Sequence, residues 1–475
     1  MKQRLDTLFA VTRKASSSLG CALRLGQHMM AALLCPERAT LTNLICTSGL
    51  QHLDWSAHYR LYSRHRVDER VLFAQVCESV QQALPAGHPL VIAMDDTLIR
   101  KTGPHISGVG WKRDPLGPAF QTNLVRGQRY LQFSAAWPLE QGAARLVPVG
   151  FHHAPSPPKP PKGATPEQQR EHRETYKQRN LNAQTLAQMK LLREETPGAR
   201  PIIFTGDGSY TNKSVLRGLP AGCTYLGRMR KDAVLHDPPE PAAGKPAGRR
   251  PSYGALAPTP EELRSDENVP WRKIEAFAAG KRHEFRIKTL GPVLWRKAGA
   301  GQRVRIIVIA PLGYRLREGA RLLYRQAAYL LCSDPEQPVE RLLQYYLWRW
   351  GIEVNFREEK QLIGTGQAQV RGAASNQHQP AVSVAAYALL WSAALQSHRE
   401  AEGGLIHVQR PLWRGPAKSS GSLPSTGDLL RQLRFETWAK SLQAESLSQF
   451  VNPRQANTNA EKPAPSLPAM LFSTA

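Results

Sequence analysis

The sequence has few cysteines, no long apolar run and no secretory signal. Its six cysteines are scattered without CxxC spacing, so they indicate reduced packing residues and not zinc ligands or a disulfide framework. The longest mostly apolar run, residues 381–395, is too short to span a membrane. Arg24 and His28 interrupt the apolar stretch at the N-terminus, which excludes a secretory pattern. We therefore expect a cytoplasmic protein.

Acidic residues are scarce compared with basic ones. The 475 residues contain 63 Lys and Arg against 38 Asp and Glu, which gives a formal net charge of +25. This excess indicates a polyanionic partner. No amphipathic basic helix suited to a membrane surface stands out, so nucleic acid is the favoured partner. A chain of this length can form two or three domains.

The most specific pattern lies in residues 339–363, which are rich in helix formers and lack proline. Treated as one α-helix at about 100° per residue, this stretch places five polar side chains on one narrow face: Tyr346, Arg349, Glu353, Arg357 and Lys360. An adjacent stripe of apolar side chains is expected to be buried: Trp348, Ile352, Phe356 and Ile363. The simplest interpretation is a solvated face, because Arg349 and Glu353 form an ordinary i,i+4 pair.

The order of these residue types supports a functional interpretation. The chain has the order Tyr, two residues, Arg, three residues, Glu, six residues, Lys. This order and spacing resemble the YREK motif of cut-and-paste bacterial insertion-sequence transposases, which are DDE enzymes with an RNase H-like core. Four residue types at fixed spacing are more specific than a single short motif. The resemblance implies that Glu353 is a catalytic metal ligand and that four residues bind DNA: Tyr346, Arg349, Lys360 and Arg357.

Two short apolar runs lead directly into acidic residues. Residues 90–94 precede Asp95, Asp96 and Thr97, and residues 201–206 precede Asp207. Both runs have the length of a buried strand, whose rigid end is well placed for metal binding. The family has Asp-x-Thr at the first position, which matches Asp95 with Thr97. Asp96 stays open as the alternative, and Asp207 can also be interpreted as a helix N-cap.

The order of the expected elements is three strands, helix, strand, helix, strand, as in an RNase H-like α/β core with a mixed five-stranded sheet and flanking helices. Helical apolar spacing predicts an all-α domain before it. We expect this division: a helical DNA-binding domain at 1–85, the first part of the core at 86–230, a β-rich insertion at 231–328, the second part of the core with the catalytic helix at 329–400, and a linker, helix and disordered tail at 401–475.

Three helix boundaries are suggested by prolines and capping residues. Thr165 with Pro166 fits the start of a helix that runs to about Glu195. Pro380 is expected to open a second helix, and a last one is expected from Asp428.

An aromatic side chain near the point where the chain re-enters the core stacks on a flipped base in relatives of this family. Tyr329 and Trp295 are the candidates here. Packing in the core is the simpler interpretation of both residues.

The implied chemistry is phosphodiester cleavage and strand transfer by Asp95, Asp207 and Glu353 with two Mg²⁺ ions, for which Mn²⁺ can substitute. The resemblance further implies double-stranded DNA as partner, namely transposon terminal inverted repeats and target DNA. It also implies a homodimer in the DNA complex, association with the bacterial nucleoid and no membrane. The alternative is a transposase-derived DNA-binding protein that no longer cleaves, although all the diagnostic side chains are present.

Overall fold

A computed structural model describes residues 1–114, 117, 121–196, 198, 200–240, 251–298, 301–314, 319, 321–400 and 423–438. The α-helices in these residues are α1 (Lys2–Phe9), α2 (Leu19–Leu34), α3 (Leu41–Thr47), α4 (Ser56–Ser63), α5 (Glu69–Ala83), α6 (Pro166–Arg179), α7 (Leu181–Glu195), α8 (Lys213–Gly218), α9 (Pro260–Ser265), α10 (Val339–Trp348), α11 (Gly351–Gln361), α12 (Ala373–Glu400) and α13 (Thr426–Trp438). Most of the expected linker and tail, residues 401–422 and 439–475, lies outside the described residues.

The strands are β1 (Leu90–Arg100), β2 (Gly110–Arg113), β3 (Leu124–Pro138), β4 (Ala144–His153), β5 (Ile202–Gly206), β6 (Cys223–Arg228), β7 (Leu235–His236), β8 (Leu256–Ala257), β9 (Arg272–Ala278), β10 (Lys281–Trp295), β11 (Arg303–Ile309), β12 (Leu312–Tyr314), β13 (Leu323–Arg325) and β14 (Ala328–Cys332). Five of them lie side by side in the order β4, β3, β1, β5, β6. The first three pair antiparallel, and β1, β5 and β6 pair parallel. This confirms the mixed α/β fold and is consistent with an RNase H-like core.

The sheet is larger than the five strands expected, because the β-rich residues that follow β6 extend it. β14 pairs with the free edge of β6, and β11, β10, β7 and β8 continue beyond it to give a mixed sheet of 12 strands. Pairing the edge of β6 removes a row of exposed backbone groups. In the structure the expected insertion is therefore continuous with the core sheet.

Helices cover both faces of the central strands. The helices before β1 share one hydrophobic core with α12, α13 and the even-numbered side chains of β1, among them Ile92 and Met94. The odd-numbered side chains Val91 and Ala93 pack in a second core with α10 and α11, which includes Ile352. Alternation along β1 therefore directs Asp95 to the face on which α11 lies.

The stretch expected to be one catalytic helix is two helices, α10 and α11, which are interrupted at Arg349 and Trp350. The backbone N–H groups of both residues donate to carbonyls three positions earlier, which tightens the chain at this point. Gly351 lies against β4, and a Cβ there would come within 2.8 Å of Leu146. Close packing on β4 thus accounts for glycine in a helical stretch.

Two other helix predictions need correction and one capping prediction is confirmed. Thr165 forms a capping box with Gln168 at the start of α6, as expected, but Asn180 ends α6 and caps α7. Pro380 lies inside α12 and does not open it. Proline cannot donate to the carbonyl of Asn376, and the hydroxyl of Tyr130 donates to that oxygen at 2.8 Å.

No helix among the described residues has the length and apolar character needed to cross a membrane.

Candidate active site

Asp95 and Asp207 occupy equivalent positions on adjacent parallel strands. β1 and β5 pair with Ala93 opposite Thr205, so the two carboxylates stand two residues further along each strand. Neighbouring strands lie about 4.8 Å apart, which places both acids at one point of the sheet. Asp207 follows the last residue of β5 as expected. Asp95 lies within β1 and not at its end, because β1 continues to pair with β3 as far as Arg100.

Arg349 connects Asp95 to the helix that carries Glu353. Its Nη1 lies 3.3 Å from Oδ2 of Asp95, and its Nη2 lies 3.4 Å from Oε1 of Glu353. The guanidinium also lies over the ring of Tyr346, 5.8 Å from its centroid. Four residues singled out in the sequence are therefore close together, although they come from β1, α10, the interruption and α11.

Lys360 of α11 contacts the face of β1 that carries Asp95. Its Nζ donates to Oγ1 of Thr97 at 2.6 Å, and Thr97 follows Asp95 by two residues. Burial lowers the pKa of Lys360, and the nearby Arg100 lowers it further. Arg357 is exposed on α11.

Asp96 points to the opposite face of β1. There it forms an ion pair with Arg129 at 3.1 Å and accepts a hydrogen bond from the hydroxyl of Tyr210 at 3.0 Å. Asp96 thus has its own cationic partner away from α11. The choice of Asp95 over Asp96 as the first metal ligand stays a prediction that this geometry favours.

The acids of the site are largely removed from water, which affects their pKa values. Burial raises the pKa of Asp95 to about 7, the Arg349 guanidinium acts against this shift, and Asp207 adds to it. The pKa of Asp96 is also raised, mainly by burial. Burial is the largest cause for both acids, because a carboxylate removed from water is less stable than the neutral carboxyl.

A bound divalent cation would stabilise the ionised form of these acids. Asp95 and Asp207 offer the oxygen ligands that Mg²⁺ and Mn²⁺ prefer. Glu353 reaches Asp95 only through Arg349. Within the part of the chain that the structure describes, no three His, Cys, Asp or Glu side chains are close enough to hold an ion together. Asp95 and Asp207 stand at equivalent positions on paired strands, and the Arg349 guanidinium lies between Asp95 and Glu353.

The aromatic candidates of the sequence lie in the core. Tyr329 and Trp295 are only 9% and 8% exposed, and the Tyr329 hydroxyl donates to Glu261. By contrast, Trp350 is 56% exposed, between Arg349 and Gly351, and Arg325 lies 5.9 Å from its ring centroid. An unbroken helix also places Trp350 beside Arg357 on the polar face, about 40° from Tyr346, but the sequence analysis considered only the polar residues of that face.

A buried polar cluster supports α11 from behind and was also missed. Arg145 of β4 donates to Glu358 at 2.6 Å and stacks on Trp391, whose ring centroid is 3.8 Å away. Glu358 also accepts hydrogen bonds from Tyr387 of α12 and Thr426 of α13, both at 2.7 Å. We define these five residues as the Arg145 cluster. They tie α11 to β4, α12 and α13.

Comparison with known proteins identifies the family. No curated protein matches the sequence. A family model described as DDE superfamily endonuclease matches residues 22–301, a stretch that contains Asp95 and Asp207 and ends before Glu353. The match covers more than half of the chain. The chain therefore belongs to the DDE superfamily endonucleases.

Proposed function

We propose that this endonuclease is the cut-and-paste transposase of a bacterial insertion sequence. In this proposal it binds the terminal inverted repeats as a homodimer, cleaves the transposon ends and joins them to target DNA. The observation that carries the proposal is the contact of Arg349 with both Asp95 and Glu353 beside Asp207. It brings residues of the proposed YREK motif next to the two strand-borne acids.

Asp95, Asp207 and Glu353 are the proposed ligands of two divalent ions, Mg²⁺ or Mn²⁺. When bound, such ions activate the attacking oxygen and stabilise charge on the leaving oxygen. The remaining roles belong to side chains of this protein. Lys360, held on β1 by Thr97, is positioned to bind a phosphate near the scissile one.

Arg349 and Tyr346 are proposed to orient the end of the DNA strand, and the exposed Arg357 to contact its backbone. A positively charged side chain that bridges two acids can form charge-assisted hydrogen bonds with a phosphate when the acids bind metal instead. The formal net charge of +25 supports DNA as the substrate.

The test is strand cleavage by the wild type and Glu353→Gln on a duplex made from the inverted repeats that flank the gene. Glu353→Gln keeps the shape of the side chain but removes its charge, so Mg²⁺-dependent cleavage should fall by at least about 10²-fold. Its affinity for the duplex should stay within about twofold, because the phosphate contacts are unchanged.

Three outcomes are decisive. If Glu353→Gln cuts at the wild-type rate, Glu353 is not a metal ligand. If the wild type binds the duplex but cuts with neither Mg²⁺ nor Mn²⁺, the alternative of a non-cleaving DNA-binding protein holds. If no inverted repeats bracketed by a short duplication surround the gene, the insertion-sequence origin is wrong.

A further inference from the structure

β1, which carries Asp95 and Asp96, continues past the site next to β3, and together with β2 these strands form a ribbon with basic and aromatic side chains. β2 pairs antiparallel with β3, so that Trp111 stands opposite Arg126 and Arg113 opposite Leu124. On the other side of β3 the N–H of Lys101, the residue after β1, donates to the carbonyl of Arg126 at 3.1 Å. We define Lys101, Trp111, Arg113 and Arg126 as the basic ribbon.

The basic ribbon lies on the same face of the strands as Asp95. Residues directly opposite each other in antiparallel strands project to the same face, and residues two apart do so along one strand. Lys101 follows Asp95 by six residues, so it shares the face of Asp95 and Thr97. Its neighbour Arg126 extends this row across β3, and Trp111 extends it to β2.

The opposite face shows that this alternation holds through the ribbon. Lys112 lies next to Trp111 in β2 and so projects the other way. Lys112 is close enough to Asp96 to oppose the rise in its pKa, and burial and then Arg129 lower the pKa of Lys112 itself. The two faces are therefore separated, and the basic ribbon belongs to the face of the candidate site.

The cations of the ribbon are held by backbone carbonyls. Arg126 donates to the carbonyls of Thr102 and Pro104 at 3.2 and 3.4 Å, and Lys101 Nζ donates to the carbonyl of Gly366 at 2.6 Å. A carbonyl orients a cation but does not neutralise it, so the charge remains available to an anion. Burial and Arg38 both lower the pKa of Lys101, as expected where positive charges accumulate.

Exposure of Trp111 is the second feature of the ribbon. Its side chain is 68% exposed, more than that of Trp350 or Trp55, and Arg113 two residues later is also exposed. An indole combines a large apolar surface with one N–H donor. Between two arginines it matches a surface of deoxyribose rings and phosphates.

The distance from the site suggests what the ribbon binds. Six residues of a strand span about 20 Å. Phosphates on one strand of a DNA duplex follow each other at about 3.4 Å along the helix axis, so 20 Å corresponds to about six base pairs. We propose that the basic ribbon binds the backbone of duplex DNA about six base pairs from the cleaved bond, with Trp111 packed on the sugars. This inference rests on the proposed function, since it presupposes DNA cleavage at Asp95.

The experiment compares the wild type with Trp111→Ala/Arg113→Ala on duplexes made from the transposon end and its flank. One duplex extends about 20 base pairs on both sides of the cut, and two others are shortened to about four base pairs on one side or the other. The double variant should bind the long duplex about tenfold more weakly. The wild type should bind one of the two shortened duplexes about tenfold more weakly than the long duplex. The double variant should bind that shortened duplex with the same affinity as the wild type.

A matched control removes one exposed aromatic and one exposed arginine elsewhere. Arg173→Ala/Tyr176→Ala on α6 changes side chains of this kind, since Tyr176 is 50% exposed and Arg173 is exposed. It should bind the long duplex like the wild type, and both variants should keep the wild-type melting temperature.

The possible failures are distinguishable. If the wild type binds no DNA, the proposed function and this inference both fail. If the wild type binds but the ribbon variant binds equally well, or if the control loses as much, only the inference is overturned. The inference would also be overturned if the double variant lost further binding free energy on the shortened duplex, because additive losses show that the ribbon and the removed base pairs make separate contacts.

Discussion

Arg349 determines the charge balance at the candidate site. Its side chain is only 12% exposed and lies between Asp95 and Glu353, which are 20% and 39% exposed. A guanidinium stays protonated at all ordinary pH values, so it compensates the acids permanently. Lys360 is the second cation on this face, but it contacts the hydroxyl of Thr97 and neither of these acids. The two cations should therefore have different effects when removed.

Lys360→Ala should separate DNA positioning from metal binding. The change leaves Asp95, Asp207 and Glu353 in place, so Mn²⁺ affinity, measured by electron paramagnetic resonance, should stay within about twofold of the wild type. Binding of the transposon end should weaken several-fold, because one phosphate contact is lost. Glu353→Gln should show the reverse pattern. If Lys360→Ala binds and cleaves like the wild type, Lys360 belongs to a solvated face with no role in DNA binding.

Glu359, next to Lys360, is a buried carboxyl without a basic partner in contact. Its Oε1 accepts a hydrogen bond from Gln132 of β3 at 2.9 Å, and burial raises its pKa to about 8. The amide oxygen of Gln132 is buried and has no hydrogen-bond partner in the structure. A protonated Glu359 can donate to that oxygen and so complete a two-way pair of hydrogen bonds.

The stability of the fold should therefore fall as Glu359 loses its proton. Its pKa is about 8 in the folded chain against 4.5 as a reference for the unfolded chain, so the folded state holds the proton more tightly. The stability due to this proton is complete below about pH 4.5 and is lost as pH rises through about 8. Glu359→Gln should reduce the fall in melting temperature between pH 5.5 and 8.5 by a few degrees.

Exposed Glu171→Gln on α6 is the control for that measurement and should leave the pH profile unchanged. A Glu359→Gln profile parallel to that of the wild type would show that Glu359 is ionised in the fold.

At the scale of elements, the interruption between α10 and α11 shows where periodicity succeeds and where it fails. The expected stripe is correct for Ile352 and Ile363, which are buried. The polar side chains of Asn355 and Glu359 on α11 are buried as well, and no hydrophobic pattern can indicate this. Both find partners on β3, more than 200 residues earlier in the chain. Local spacing places side chains around a helix but contains no information on distant polar partners.

The strand-borne acids illustrate the same limit. Apolar runs located β1 and β5 and so the positions of Asp95 and Asp207, because a buried strand has a distinctive composition. The sequence did not show that β1 continues to Arg100, since the consecutive polar residues 95–97 end the apolar run by which a buried strand is identified. Nor could it show the basic ribbon, which depends on the register between β2 and β3.

The Arg145 cluster is expected to hold α11 in place. Arg145 and Glu358 are 14% and 13% exposed, so loss of one partner leaves a poorly solvated charge. Arg145→Ala should destabilise the chain by about 3 kcal/mol, measured by urea unfolding. Arg145→Ala in a Glu358→Gln background should cost much less, because no Glu358 carboxylate is then left without its cationic partner.

The exposed pair of Lys177 and Glu174 provides the control for Arg145→Ala. These side chains are 70% and 59% exposed, so Lys177→Ala should cost less than about 1 kcal/mol. Equal losses from Arg145→Ala in the two backgrounds would contradict a role for the ion pair.

At the scale of the whole molecule, the helices before β1 are not set apart from the rest. The sequence predicted a separate helical domain at residues 1–85. In the structure these helices share one core with α12, which packs against α1, α2, α4 and α5. The two parts are also joined by a buried contact, in which Nδ1 of His378 lies 2.7 Å from Oε2 of Glu69. α12 is buried almost continuously from Asn376 to Leu395.

A fragment of residues 86–400 should therefore fail to fold as a unit. Removing α1 to α5 would expose a long apolar face of α12, and apolar patches of that size promote aggregation. We expect the fragment to show no cooperative thermal transition by near-ultraviolet circular dichroism. In contrast, α6 buries none of its residues, so its replacement by a short Gly/Ser linker should preserve the transition. A cooperative transition of the 86–400 fragment within a few degrees of the full chain would instead support a separate N-terminal domain, because the fragment would then fold without the helices before β1.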